Sequence, residues 1–150
     1  MKTLTFKSTK GGKFNVNLPD NYKKVKLPFF KQWVAALESG NFRQCNGTLC
    51  EPNNKKLTYC CLGVLSKIQG RLVKNKEYNA YEDGENTLET SGLDDRNPVY
   101  SILKNDGTLP KGVSVATDDD YKCTSLVSCN DELDLSFKDI VKVIKTIYKA

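Results

Sequence analysis

The 150-residue chain is long enough for one domain whose core needs no metal or disulfide to fold. Its content of 39% hydrophobic and 27% charged residues is typical of a globular protein. The first ten residues lack the apolar core of a secretory signal, and the apolar runs are far shorter than the roughly 20 residues that cross a bilayer. We therefore expect a single cytoplasmic domain over residues 1–150, with no membrane partner.

Charge is divided unevenly along the chain. Residues 1–76 contain 15 Lys or Arg and 3 Asp or Glu, whereas residues 77–150 contain 8 and 15, so that the halves carry +12 and −7. Two interpretations are open. Either the two segments fold against each other and partly neutralise, or the basic half forms a face that attracts an anion.

The chain begins with a predicted β-hairpin and a helix. Apolar and polar residues alternate in two segments, and the apolar ones are Leu4 and Phe6 in the first and Phe14, Val16 and Leu18 in the second. The turn "TKGGK" joins the two predicted strands. A basic linker, "PDNYKKVKLP", leads to a helix that begins near Pro28, places its apolar residues at helical spacing and ends at Gly40.

The next segment predicts a loop followed by a second helix. Residues 41–56, rich in Asn, Gly and Pro, predict a polar, basic loop with at most one short strand. A helix is expected from about Leu57 to Gln69, with Cys61, Leu62, Leu65 and Ile68 forming its apolar stripe. Because Gly63 lowers helix stability, we expect a closely approaching backbone at that position.

The second half of the chain predicts a long acidic loop over 76–95, followed by short strands at "VYSIL" and "VSVAT". A final helix is expected after Ser136, which is its predicted cap, with Asp139 at the third position after the cap. Together these elements predict an α+β fold: three main helices packed on a small antiparallel sheet, with an N-terminal β-hairpin.

Catalytic and metal chemistry find little support in the residue types. The chain has no His, the commonest general base, and no C-x-x-C pair for zinc, so we expect neither an enzyme nor a cofactor. "YCCLGVL" places two adjacent cysteines in the second helix, where Cys61 fits the buried stripe and Cys60 lies nearer its boundary. "STKGGK" lacks the spacing of a phosphate loop, and Asp118 to Asp120 lack that of a calcium loop.

Binding is better supported, by the loop between the first two helices. Arg43 and Lys55 supply cations for phosphates, Gln44 and the neighbouring Asn residues supply amides, and Tyr59 supplies a ring that can stack on a base. A solvated loop without a ligand is the alternative.

Three motifs resemble an uncharacterised family of small phage and prophage proteins, whose pattern is W-x-x-A-L-x-S-G-x-[FY]-x-Q, [YF]-C-C-L-G-V-L, and N-D followed by S-F-x-x-I-A. The matching residues are Trp33, Ala36, Leu37, Ser39, Gly40, Phe42, Gln44, Tyr59 to Leu65, Asn130, Asp131, Ser136, Phe137 and Ile140, while Val141 replaces the usual Ala. The N-terminal hairpin and the acidic middle lie outside the resemblance, which implies a viral accessory protein and transfers no activity.

These observations predict a phage protein that counters bacterial defence, in the cytoplasm of the infected host, by sequestering a small anionic nucleotide-derived immune signal. The expected ligand-binding residues are Arg43, Gln44, Lys55, Tyr59, Asn130 and Asp131, with the Asp131 carboxylate orienting Arg43. Two alternatives remain: a protein inhibitor of a host defence enzyme, and a weak nucleic-acid-binding protein. The chain could also form a homo-oligomer.

Overall fold

The computed structural model describes residues 1–84, 91–118 and 121–150 and shows a mixed α/β fold. Five helices lie in these ranges: α1 (Phe30–Glu38), α2 (Cys61–Ile68), α3 (Tyr100–Leu103), α4 (Leu126–Asp131) and α5 (Phe137–Ile147). The strands are β1 (Lys2–Lys7), β2 (Lys13–Leu18), β3 (Val25–Lys26), β4 (Arg43–Gln44), β5 (Cys50–Asn53), β6 (Lys56–Tyr59), β7 (Leu72–Asn75), β8 (Ala80–Asp83), β9 (Ser114–Thr117), β10 (Lys122–Cys123) and β11 (Tyr148–Lys149).

The strands of the described residues form three sheets, with orders β1-β2-β9-β10, β11-β3 and β4-β6-β5-β8-β7. The pairs β4–β6 and β3–β11 are parallel, while the other pairs are antiparallel. The expectation of three main helices on one small antiparallel sheet was therefore too simple. Helices α1, α2 and α5 were predicted, whereas α3 and α4 were not.

The N-terminal hairpin is confirmed, and its apolar side chains face the core. Phe14 and Val16 are fully buried, and Phe6 stacks on Phe14 with ring centroids 5.4 Å apart. The tip is held against the start of α5 by the buried Asp139, which accepts hydrogen bonds from the Ser8 hydroxyl (2.9 Å) and from the backbone N–H of Thr9 (3.1 Å). The turn of the predicted hairpin is thus fixed to the closing helix.

Helices α1 and α5 begin by different means. At α5, the Ser136 hydroxyl accepts the backbone N–H of Asp139 at 3.2 Å, which is the predicted cap. Helix α1 begins one residue beyond Phe29, which occupies a left-handed conformation with φ 62° and gives no side-chain cap. The buried Trp33 of α1 donates its indole N–H to the carbonyl of Cys61 at 2.8 Å, which joins α1 to α2.

Helix α2 begins at Cys61, later than predicted, because residues 57–59 belong to strand β6. Cys60 is the N-cap residue, and its sulfur accepts the backbone N–H of Gly63 at 3.4 Å. A Cβ added at Gly63 would collide with the carbonyl oxygen of Leu49. The expected close approach of a backbone at this glycine is therefore confirmed.

Two predicted loops contain strands instead. Residues 41–56 include β4, β5 and the first residue of β6, and the β5–β6 hairpin turns through Asn54 and Lys55, both with positive φ (51° and 69°). The predicted loop over 76–95 contains β8, which pairs with β7. Residues 85–90 of that prediction, and Asp119 and Asp120 of the acidic run, lie outside the described residues.

The "VYSIL" segment was predicted as a strand but forms helix α3. Asn97 explains the difference, because its carbonyl accepts the N–H of Tyr100 at 2.9 Å and its side chain accepts that of Val99 at 3.1 Å. An Asn-Pro turn of this kind starts a helical turn locally. The "VSVAT" strand is confirmed as β9.

Candidate functional site

Asp83, the last residue of β8, is a carboxylate with no exposed surface. It accepts hydrogen bonds from the Ser66 hydroxyl (2.9 Å), the backbone N–H of Asp94 (2.8 Å) and the side-chain amide of Asn97 (3.1 Å). The Nε atom of Arg71 lies 3.3 Å from the same carboxylate. These donors compensate the buried charge, as its removal from water requires.

A second buried carboxylate, Asp94, holds two guanidinium groups. Arg96 donates through Nη2 at 2.6 Å and through Nε at 3.1 Å, while Nη2 of Arg71 lies 3.7 Å away. The hydrogen bonds from Arg96 hold the pKa of Asp94 well below its usual value. We call Arg71, Asp83, Asp94 and Arg96 the arginine–aspartate cluster.

The cluster is fixed to helix α2 by a pair of amides. Gln69 donates to the side-chain oxygen of Asn97 at 3.1 Å, and Asn97 donates back to Gln69 at 2.9 Å. Since Asn97 also donates to Asp83, the end of α2, the end of β8 and the segment that carries Arg96 are connected. The two guanidinium groups are therefore held by anchored carboxylates.

Beside the cluster lies a cavity of about 250 Å³ lined by Gly70, Arg71, Val73, Gly84 and Arg96. The side chains of Arg71 and Arg96 keep 24% and 56% of their surface exposed. Each guanidinium has five N–H donors. Arg71 directs its Nε at Asp83 and its Nη2 towards Asp94, while Arg96 directs its Nε and Nη2 at Asp94. Both arginine side chains line the cavity, and a guanidinium group matches the oxygens of a phosphate or carboxylate group.

Local backbone chemistry explains why the chain folds this way. Gly84 follows Asp83 with φ +83°, and a Cβ there would collide with the Asp94 carboxylate. The Asp94 side chain also accepts the backbone N–H of Arg96 at 2.9 Å, a turn that sets the position of the arginine two residues on.

The six residues predicted from the sequence are only partly brought together. Gln44 donates to the side-chain oxygen of Asn130 at 2.8 Å, and Asn130 donates to the carbonyl of Cys45 at 2.8 Å. The same Asn130 oxygen accepts the N–H of Cys61 at 3.3 Å. Because Asn130 is fully buried, these contacts tie β4, α2 and α4 together.

Arg43 and Asp131 are not paired. Asp131 accepts a hydrogen bond from the Asn130 amide at 2.8 Å, and the ion pairs formed among the described residues do not include Asp131 with Arg43. Neighbouring residues of a strand point to opposite faces, so Arg43 points away from the side on which Gln44 meets Asn130. The orienting role of Asp131 therefore has no support from an ion pair among the described residues, and it stays a prediction.

Tyr59 is the last residue of β6, whereas Lys55 lies in the turn that precedes this strand. Tyr59 is 7% exposed, pairs with Gln44 across the sheet, and meets Phe42 edge to face at a centroid distance of 5.1 Å. Lys55 is exposed in the turn beyond the Asn53–Lys56 pair. The role of the six residues in ligand binding stays a prediction.

The cysteines pack as small apolar side chains. Cys60 and Cys61 are 2% and 0% exposed, and both thiols are unpaired. Burial raises the pKa of Cys60 to about 12 and that of Cys61 well above its usual value. Both are neutral thiols at physiological pH, which makes them poor nucleophiles and poor metal ligands.

Sequence reasoning did not identify the arginine–aspartate cluster. Its members come from three separated stretches of the chain, and the sequence of each stretch alone predicts only an ordinary charged turn. The Asp-Gly pair at 83–84 and the Asp-x-Arg spacing at 94–96 are signals of turns. They do not indicate that the two turns meet.

The described residues contain neither a metal-binding cluster nor a membrane-spanning helix. Within residues 1–84, 91–118 and 121–150, no group of three or more Cys, Asp or Glu side chains is placed to hold a metal ion. In the same ranges, the helices are too short or too polar to cross a membrane.

The fold and the cavity define a mixed α/β domain with two carboxylate-anchored arginines at an open site. The chain belongs to the family described as Domain of unknown function (DUF8296), whose model matches residues 24–148. Strands β1 and β2 precede the matched region. Searches of curated proteins and of solved structures gave no match to the chain.

Proposed function

We propose that the protein is a non-enzymatic phage accessory protein that counters bacterial defence by sequestering a nucleotide-derived immune signal in the cytoplasm of the infected host. The observation that carries this proposal is the cavity lined by Arg71 and Arg96 beside two buried aspartates. The motif resemblance supports the viral origin, and the net charge of +5 supports an anionic ligand.

The cavity favours a phosphate because its guanidinium groups are positioned before the ligand arrives. A planar guanidinium matches two oxygens of a phosphate, and an anchored side chain loses less conformational entropy on binding. The cluster carries two positive and two negative charges, so affinity would come from directed hydrogen bonds more than from net charge.

The size of the cavity sets what else the ligand contacts. About 250 Å³ is slightly below the range of roughly 300–1,000 Å³ that is usual for small-molecule sites. The phosphate would therefore occupy the cavity while the sugar or base lies across its mouth. Val73, which lines the cavity and is 37% exposed, offers an apolar contact there.

The test is calorimetry of the whole protein against cyclic dinucleotides, cyclic ADP-ribose isomers and inorganic phosphate. Arg96→Gln removes the more exposed guanidinium, and we expect it to weaken binding at least tenfold, the scale of a lost charge-assisted hydrogen bond. Arg43→Gln is the matched control, since it removes the same charge from the site predicted by sequence and should leave binding unchanged.

The results with the two variants distinguish an error in the location of the binding site from an error in the proposed function. If Arg43→Gln abolishes binding and Arg96→Gln does not, sequestration stands and the ligand binds at β4, near Gln44 and Asn130. If none of these nucleotides produces heat with the unmodified protein, sequestration of such a signal is contradicted.

A further inference from the structure

A second exposed surface is independent of the cavity and of the proposed function. It consists of Lys23, Lys24, Lys26, Phe29, Lys31 and Lys149, which are all exposed and which we call the lysine–phenylalanine patch. Residues 21–37 contain four lysines and no Asp or Glu. The lysines of the patch are absent from the ion pairs formed among the described residues.

The fold brings two of these lysines side by side, and none of the patch lysines is in an ion pair among the described residues. Strands β3 and β11 are parallel, and their register places Lys26 directly beside Lys149. Like charges in neighbouring positions of a sheet repel each other, so an anion between them is favourable. The nearby carboxylates of Asp20 and Glu38 are already paired, with the N-terminal amine (2.6 Å) and with Lys145 (3.5 Å).

Phe29 is an exposed aromatic residue between Lys26 and Lys31 in the sequence, and its backbone conformation is unusual. Its φ of 62° is a left-handed conformation that is a genuine outlier for a bulky residue, and the residue is 37% exposed. The backbone on both sides is fixed, because the N–H of Leu27 donates to the carbonyl of Lys149 (2.9 Å) and that of Trp33 donates to the carbonyl of Phe29 (2.8 Å). The fold therefore holds the ring at the surface against its backbone preference.

We infer that the lysine–phenylalanine patch binds single-stranded nucleic acid, with phosphates on the lysines and a base stacked on Phe29. Such a strand supplies one negative charge per nucleotide and a flat ring beside each charge, which suits a surface that has several exposed lysines and one exposed aromatic residue. An anionic membrane would match the lysines, but it would gain little from one partly exposed ring.

The experiment is fluorescence anisotropy with a labelled oligo(dT) of about 16 nucleotides, titrated with the whole protein over a range of salt. If about four phosphates are neutralised, the plot of log affinity against log salt has a slope of about −3. The triple variant Lys23→Gln, Lys24→Gln and Lys26→Gln should weaken binding more than tenfold and make that slope about 2 less steep.

The matched control is the triple variant Lys104→Gln, Lys111→Gln and Lys138→Gln, which changes net charge equally at exposed lysines elsewhere. It should retain binding within about threefold. If both triple variants weaken binding equally, the attraction belongs to the whole protein and the inference is overturned.

The ring is tested by two substitutions at one position. Phe29→Trp keeps a stacking surface and should retain binding, whereas Phe29→Asn suits the left-handed backbone and should lose roughly tenfold. Equal affinities for the two variants would remove the ring from the site. Binding to vesicles of phosphatidylserine and phosphatidylcholine without binding to the oligonucleotide would overturn the inference in favour of a membrane.

Discussion

Replacing Gly63 with alanine tests how helix α2 packs against Leu49, the residue that precedes strand β5. Alanine favours a helix by about 1 kcal/mol relative to glycine, so an isolated α2 would be stabilised. In the folded protein the new Cβ would collide with the Leu49 carbonyl oxygen and lie 2.7 Å from its carbon. Relief requires a backbone shift, and overpacking of this kind costs about 1–3 kcal/mol.

A second cost comes from a hydrogen bond that the shift disturbs. The Leu49 carbonyl accepts the N–H of Cys60 at 3.0 Å, and losing such a bond costs about 0.5–1.5 kcal/mol. After the helix gain is subtracted, we expect Gly63→Ala to lower the free energy of unfolding by about 2 kcal/mol. For a chain of this size the melting temperature should fall by about 4–8 °C.

The assay is urea unfolding followed by far-ultraviolet circular dichroism. The denaturation midpoint should fall while the slope m stays constant. The control is Ala35→Gly, the reverse exchange at an exposed position of α1, which should cost about 1 kcal/mol. A Gly63→Ala protein as stable as the parent would show that α2 and residue 49 are not in close contact.

Three further predictions concern charges and thiols. Asp131→Asn should change neither the melting temperature nor the nucleotide affinity appreciably, because an amide oxygen can still accept the hydrogen bond from Asn130. A tenfold loss of affinity would show that Asp131 belongs to the binding site. The Cys60 and Cys61 thiols should react with iodoacetamide only as the protein unfolds, and rapid alkylation of the native protein, followed by mass spectrometry, would contradict their burial. The pKa of Asp94 is lowered in the fold, so its contribution to the free energy of unfolding is present above the ordinary value of 3.8 and is lost as the pH falls below it. Asp94→Asn should therefore make the free energy of unfolding depend less on pH below 3.8. An unchanged dependence on pH would argue against the pairing of Asp94 with Arg96.

Elements with strong local signals were predicted well from the sequence. Helix α5 combines a serine cap with apolar residues on one face, and the first hairpin combines strict alternation with two glycines in its turn. In both cases the local conformational preference and the pattern of buried residues favour the same element, so one stretch of sequence is sufficient to predict it.

Elements determined by distant contacts were not predicted. The apolar run at 99–103 is too short for its period to distinguish a strand from a helix, and Asn97 decides the outcome. Strands β4 and β5 are short, and their pairing with β6 and β8 is not visible in a segment rich in Asn and Gly.

The candidate site could be predicted only in fragments, for the same reason. Gln44 and Asn130 were chosen as ligand-binding residues, and the structure shows that they bond to each other across 86 positions of sequence. Arg71 and Arg96 meet at Asp94 only because β8 and the turn that follows α2 bring their segments together. No motif or spacing in the sequence indicates that these two arginines contact the same carboxylate.

Native mass spectrometry of the protein purified from phage-infected cells tests the proposed sequestration most directly. The account predicts a bound species with the mass of a phosphorylated nucleotide, which is lost in Arg96→Gln and retained in Arg43→Gln. A host protein bound in stoichiometric amount with no small molecule would contradict the account and favour the alternative of a protein inhibitor.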